Sequence, residues 1–295
     1  MKNTIFKGMA TAIVTPMTEN GIDYEALGRF IEFQIENGIN ALVVMGTTGE
    51  NATIEPEDQT AVIRFTVEKV AGRIPVIAGT GTNDTSHVLR NTVAACEAGA
   101  DAVLVVTPYY NKATQNGLIT HFTAVADVST KPVILYNVPG RTGCNLLPKT
   151  VAKLAEHPNI VAVKEASGNM SQAVEILSLC GDKIDVYSGE DAINVPIMAM
   201  GGAGAISVLS NLAPKEAVAM SDAALRGDYE TAAAWQCKLL PLIKACFCEV
   251  NPIPAKAGVS AMGFGEENLR LPLTPMEPQN RAVLYEEMRK LGINV

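Results

Sequence analysis

Short apolar runs recur along the first three-quarters of the chain, separated by longer stretches with helical periodicity. Ala10–Val14 (ATAIV), Ala41–Met45 (ALVVM), Pro75–Ala78 (PVIA) and Ala102–Val106 (AVLVV) are the first four runs. Pro132–Tyr136, Ile160–Lys164, Ile184–Tyr187 and Gly204–Val208 continue the series. Each is rich in small or β-branched residues and ends in turn formers, so each reads as a strand. They are apolar throughout rather than alternating, as parallel strands covered on both faces should be. Between the first two runs, Leu27, Phe30, Ile31 and Ile35 fall three and four apart behind a helix-capping Asp23, and the stretch closes at Asn37-Gly38. Similar periodicity predicts helices near 56–71, 85–98, 115–128, 147–156, 170–179 and 214–225.

About eight strand–helix units in some 225 residues is the size of a (β/α)8 barrel. An open doubly wound sheet is the competitor, but its GxGxxG fingerprint is missing: Gly79-Thr80-Gly81 lacks the third glycine at the required offset. The expected fold is therefore α/β, a (β/α)8 TIM barrel over residues 1–226. After Gly227 the strand signal stops, and 228–248, 254–262 and 278–291 read as helices, a small C-terminal helical domain over 227–295.

A hydrophobic fraction of 48% with 18% charged residues fits an ordinary globular protein. The net charge of -8 argues against nucleic acid or an anionic membrane as partner. Six cysteines without a CxxC pair and three scattered histidines give no zinc or iron–sulfur spacing. The first residues lack the apolar core of a signal peptide, and no run approaches the roughly 18 apolar residues that span a bilayer. A cytoplasmic location with reduced cysteines is expected.

In such a barrel the reactive groups lie on the loops after the strands. Lys164 ends the sixth run, a place where burial disfavours the ammonium and favours a neutral amine able to attack a carbonyl. The alternative is a lysine snorkelling from the rim or paired with Glu165. Tyr136 ends the neighbouring run, within reach of the same substrate carbon, and its phenol both donates and accepts protons. Gly46-Thr47-Thr48-Gly49-Glu50 offers backbone N–H groups and two hydroxyls, or else is a plain turn. Arg141 follows Pro139-Gly140, a stiff turn that suits bidentate capture of a carboxylate; taken alone, the arginine reads rather as a surface ion pair with Asp or Glu. Gly201-Gly202-Ala203-Gly204-Ala205 precedes the eighth run, so it reads as close packing rather than a phosphate loop. Glu50, Glu165, Glu190 and Asp191 could ligate magnesium, yet share no evident geometry, and a lysine among them favours amine chemistry.

Gly46-Thr47-Thr48-Gly49-Glu50, Thr107-Pro108-Tyr109-Tyr110-Asn111, Tyr136-Asn137-Val138-Pro139-Gly140-Arg141-Thr142-Gly143, Ile160–Ala166 and Asn251-Pro252-Ile253-Pro254, in this order, resemble the dihydrodipicolinate synthase / N-acetylneuraminate lyase family of class I aldolases. The resemblance implies that Lys164 forms an imine with the keto carbon of pyruvate, whose carboxylate Thr47 and Thr48 would hold. It implies that Tyr136 acts as general acid and base, relaying protons through Thr47 to Tyr110 of a neighbouring subunit. Gly189 and Ile206 would line the pocket, no metal or other cofactor would be needed, and the assembly would be a homotetramer of two tight dimers. Arg141 selects the branch, since in dihydrodipicolinate synthases a turn of this kind holds the carboxylate of aspartate semialdehyde, whereas a polyhydroxylated sugar calls for neutral partners. The implied reaction condenses pyruvate with L-aspartate-4-semialdehyde to 4-hydroxy-tetrahydrodipicolinate, a step in diaminopimelate and lysine synthesis. A sialic-acid lyase or 2-keto-3-deoxy sugar-acid aldolase, or a silent 2-oxo-acid-binding paralogue, are the alternatives. Pro56, Gln59 and His87 stand where lysine-inhibited relatives place acidic and histidine side chains, so weak or absent inhibition by lysine is expected.

Overall fold

A computed structural model describes residues 2–295. The eight runs become β1 (Gly8–Ala12), β2 (Ala41–Val44), β3 (Val76–Gly79), β4 (Ala102–Val106), β5 (Val133–Asn137), β6 (Ile160–Glu165), β7 (Asp185–Ser188) and β8 (Gly204–Ser207). They pair in parallel in sequence order, and β8 returns to β1 to close the barrel. The first strand sits two residues earlier than the apolar run suggests. Its continuation is blocked because the Asn211 side chain takes the Val14 N–H at 3.1 Å and donates to the Ala12 carbonyl at 2.8 Å. The Gly201–Ala205 stretch does serve close packing: a Cβ on Gly204 would lie 2.0 Å from the Gly8 carbonyl oxygen across the closing seam.

Two apolar layers follow from the strand pleat. Side chains of one parity, with the helices, form the outer layer; those of the other fill the barrel. The inner layer is light toward the carboxyl end of β1, where Ala10 and Ala12 leave room, and heavy at the bottom. There Phe6 stacks on Tyr187, with centroids 4.3 Å apart, and the Tyr187 hydroxyl donates to the Phe6 carbonyl at 2.8 Å. The space is thus left at the mouth, over the carboxyl ends of the strands.

One irregularity decides which way β6 presents its side chains. Val133 pairs with Ile160, but Ile134 pairs with Ala162, so β6 carries one extra residue, Val161. Val161 and Ala162 consequently both face the inner layer. The bulge reverses the parity beyond it and turns Lys164 inward alongside Tyr136.

The predicted helices form with small shifts at their ends, and Asp23 caps the first (Tyr24–Glu36) by accepting from the Ala26 N–H. The helix expected over 147–156 is trimmed to Pro148–Leu154. A two-stranded hairpin, Met17–Thr18 with Gly21–Ile22, is too short to show as an apolar run. Beyond the barrel, helix Tyr229–Cys246 packs on helix Pro214–Leu225, and helix Pro278–Lys290 packs on Tyr229–Cys246 and Ile253–Ala261. Among the described residues no helix is long and apolar enough to cross a membrane.

Candidate active site

A cleft of about 200 Å³ opens at the barrel mouth, bordered by Gly46, Thr47, Leu104, Val106, Tyr136 and Arg141 among others. Lys164 does not border it but lies against Tyr136, which does. Its side chain is 5% exposed and its Nζ stands 4.3 Å from the centroid of the Tyr136 ring. The two residues are register partners on β5 and β6, which is why they meet. Opposite them, Gly189 leaves the space that the lysine stem occupies: a Cβ there would sit 2.8 Å from Lys164 Cε.

The expected alternative, a pair with Glu165, does not form. Successive side chains of a strand point to opposite faces, and Glu165 lies on the outer side. It accepts from Asn137 Nδ2 at 3.0 Å, Gln172 Nε2 at 3.1 Å and the Ser167 N–H at 2.8 Å. Lys164 joins none of the ion pairs among the described residues.

A second buried lysine, Lys256, escaped the sequence because it sits in a helix rather than at a strand end. It is 1% exposed and paired with Glu50, whose other oxygen accepts from the Arg270 N–H at 3.2 Å. Burial pushes the Lys256 ammonium below its ordinary pKa, and Glu50 pulls it back up. An amine held by a carboxylate is a poor nucleophile; Lys164 is the buried lysine with no such partner.

The other expected site residues divide by depth. Thr47, Tyr136 and Arg141 border the cleft. Thr48 is buried behind Thr47, its hydroxyl accepting from Asn251 Nδ2 at 3.0 Å. Arg141, in the one-turn helix Pro139–Thr142, donates through Nη2 to the Asn251 carbonyl at 3.1 Å. Asn251 therefore fixes both a hydroxyl turn and a guanidinium, a role the Asn251–Pro254 motif did not reveal until the chain folded back. Ile206 belongs to the inner layer, level with Ala10. Tyr110 stays apart: it is 90% exposed, with a left-handed φ of 71°, and does not border the cleft.

The carboxylates considered for magnesium are engaged separately. Glu50 holds Lys256 and Glu165 its amides, while Asp191 Oδ2 accepts from the Val208 and Leu209 N–H groups, both at 2.9 Å. Glu190 caps Ala192, and burial raises its pKa. Among the described residues no three His, Cys, Asp or Glu side chains converge as a metal site would require.

Residues 5–291 match the model of the Dihydrodipicolinate synthetase family. The chain belongs to this family. It is 52% identical to the 4-hydroxy-tetrahydrodipicolinate synthase of Geotalea uraniireducens over 98% of its own length and 100% of that protein's. The dihydrodipicolinate synthase structure from Aquifex aeolicus superposes with a TM-score of 0.96 at 45% identity, covering 98% of this chain and 99% of that one. The chloride-inhibited dihydrodipicolinate synthase of Acinetobacter baumannii, solved in complex with pyruvate, gives 0.96 at 43% identity, covering 98% and 100%. The likeness in fold thus extends over nearly the whole length of both dihydrodipicolinate synthase structures.

Proposed function

We propose that this member of the dihydrodipicolinate synthetase family joins pyruvate to L-aspartate-4-semialdehyde, making 4-hydroxy-tetrahydrodipicolinate for diaminopimelate and lysine synthesis. The observation that carries the proposal is the buried, carboxylate-free amine of Lys164 set against the ring of Tyr136, which borders a cleft together with Arg141. Lys164 Nζ adds to the keto carbon of pyruvate, and loss of water leaves a protonated imine. Removal of a methyl proton gives an enamine, whose carbon attacks the aldehyde and forms the new C–C bond. The amino group of the adduct then displaces Lys164 from the imine carbon, closing the ring and freeing the enzyme.

Tyr136 is placed to move the protons these steps require, with the Thr47 hydroxyl beside it on the same cleft. Thr48, oriented by Asn251, and Thr47 hold the pyruvate carboxylate, while Gly189 and Ile206 shape the floor. Arg141 takes the semialdehyde carboxylate with a charged fork of donors, a partner that a neutral sugar would leave unsatisfied. The exposed Tyr110 reaches the site of a second copy of the chain within a homotetramer of two dimers. The free cysteines among the described residues suit a reducing cytoplasm.

Borohydride reduction in the presence of pyruvate, read by intact mass, tests the imine. Wild type gains the reduced pyruvate adduct and Lys164→Ala does not; an unmodified wild type would leave only binding. A coupled assay comparing aspartate semialdehyde with sugar-derived aldehydes tests the second substrate, and preference for the sugar would reassign the enzyme. Lysine is expected to inhibit weakly or not at all. Pro56, Gln59 and His87 border a surface hollow whose acidic members, Glu55 and Glu57, are exposed and therefore screened as ammonium partners. Micromolar inhibition in a steady-state assay would contradict this.

A further inference from the structure

Behind the Lys164–Tyr136 pair, on the outer faces of the same two strands, lies a closed polar cluster. Asn137 follows Tyr136, Glu165 follows Lys164, and Asn137 and Glu165 are themselves register partners. The Glu165 carboxylate is 2% exposed and meets no cation within ion-pair distance among the described residues. Three donors satisfy it: Asn137 Nδ2, Gln172 Nε2 and the Ser167 N–H. Asn137 gives its other amide hydrogen to Asn145 Oδ1 at 2.9 Å and accepts from the Leu146 N–H at 2.9 Å. Asn145 and Gln172 exchange two further hydrogen bonds, at 2.8 and 3.1 Å.

A buried carboxylate without a counter-ion is costly, and an apolar side chain of similar size would fill the space at less expense. What the carboxylate adds is direction. It can only accept, so it fixes the orientation of the Asn137 and Gln172 amides, and through them that of Asn145. The cluster thereby joins the end of β5, the end of β6, the turn at Ser167, the Asn145–Leu146 loop and the helix Met170–Cys180. Backbone bonds run alongside, from the Ala166 N–H to the Asn137 carbonyl at 2.9 Å and from the Gly189 N–H to the Glu165 carbonyl at 2.8 Å. Any slip at Asn137 or Glu165 passes through one Cα to Tyr136 or Lys164 on the other face.

We propose that Glu165 is a positioning residue for imine formation, its carboxylate holding the strand ends so that Lys164 and Tyr136 keep their relative placement. The inference rests on the roles given above to Lys164 and Tyr136. Misplacement of reacting groups by about 1 Å can cost on the order of a hundredfold in rate, so a fault in this clamp should show in the chemical step before it shows in substrate binding.

Glu165→Gln keeps the shape but turns a donor toward groups that already donate. The full-length variant is compared with wild type for the rate of borohydride trapping at saturating pyruvate, for kcat against KM, and for thermal midpoint. Trapping and kcat are expected to fall about tenfold or more while KM for pyruvate moves far less. The exchange Glu165→Gln with Gln172→Glu returns one acceptor-only group to the cluster and is expected to restore much of the rate. Trapping and kcat at wild-type values, or a lowered midpoint as the sole change, would overturn the proposal. Should Glu165→Gln fail to fold, Gln172→Met decides: it removes the Gln172 bond to Glu165 and both bonds to Asn145 without adding a donor, and an unchanged trapping rate again overturns the clamp. A wild type that pyruvate and borohydride leave unmodified would remove the role of Lys164 and this inference with it. A trapped wild type with an unimpaired Glu165 variant removes the inference alone.

Discussion

Arg141 is held only at one end. Its Nη2 rests on the Asn251 carbonyl, and the rest of the guanidinium is exposed at the cleft rim, free to pair with a second substrate. Charged hydrogen bonds of this kind contribute about 1.5–3 kcal/mol, so Arg141→Ala is expected to raise KM for aspartate semialdehyde by roughly ten- to a hundredfold. Pyruvate trapping by the same variant should keep its wild-type rate, since Lys164 and Tyr136 are untouched. Loss of both activities together would place Arg141 in the first half-reaction instead. At this scale the sequence was informative about residue type and poor about surroundings. Lys164, Tyr136 and Arg141 could be named from strand ends and turn chemistry, but Lys256 gave no local signal and Asn251 a motif without a role, because their partners Glu50 and Thr48 lie about two hundred positions away.

Between elements, the contact of greatest consequence is the one from the helix Ile253–Ala261 back to the turn after β2. Lys256 and Glu50 are almost fully buried, and Arg270 adds a backbone donor to Glu50 and a side-chain bond to the Thr53 carbonyl at 2.7 Å. Removing one member of a buried pair strands the other charge, at a cost of roughly 3–5 kcal/mol. Lys256→Met is therefore expected to lower the thermal midpoint by roughly 6–10 °C, at about 2 °C per kcal/mol for a chain of this size. Adding Glu50→Gln should recover much of the loss, because the stranded charge is gone while an acceptor for the Arg270 N–H remains. Since the same turn carries Thr47 and Thr48, the single variant should also weaken pyruvate binding; scanning calorimetry and trapping measure the two effects.

For the molecule as a whole, Tyr110 makes a direct test of shared sites. If each copy lends Tyr110 to its neighbour, Lys164→Ala and Tyr110→Phe fail separately but complement when mixed, because a mixed dimer contains one site with both groups intact. Random exchange should restore roughly a quarter of wild-type activity, and no recovery would mean that each chain works alone. The pH dependence of stability is also a global property. Burial pushes the Cys180 thiol up to about 11, and raises Cys246 and Tyr187 as well. In the unfolded chain the Cys180 thiol ionises near 9, so the folded state holds more protons above that value. The stability tied to the Cys180 thiol is whole below about pH 9 and is lost as pH rises toward 11. Thermal midpoints should fall between about pH 9 and 11, and Cys180→Ala should flatten part of that slope.

The sequence by itself determined the order of strands and helices, hence the barrel, and it placed Thr47, Tyr136, Arg141 and Lys164 at carboxyl ends. Those features are encoded locally, in apolar runs, caps and turns that need no distant partner. Only the tertiary structure decided which way Lys164 points. Period-two alternation along Ile160–Glu165 does not say which parity faces inward, and the extra residue at Val161 reverses it halfway. Only folding, likewise, separated Lys164 from Glu165, joined Lys256 to Glu50 and left Tyr110 outside. Each of these depends on the register between segments far apart in the chain, and register is set by packing rather than by any one segment's composition.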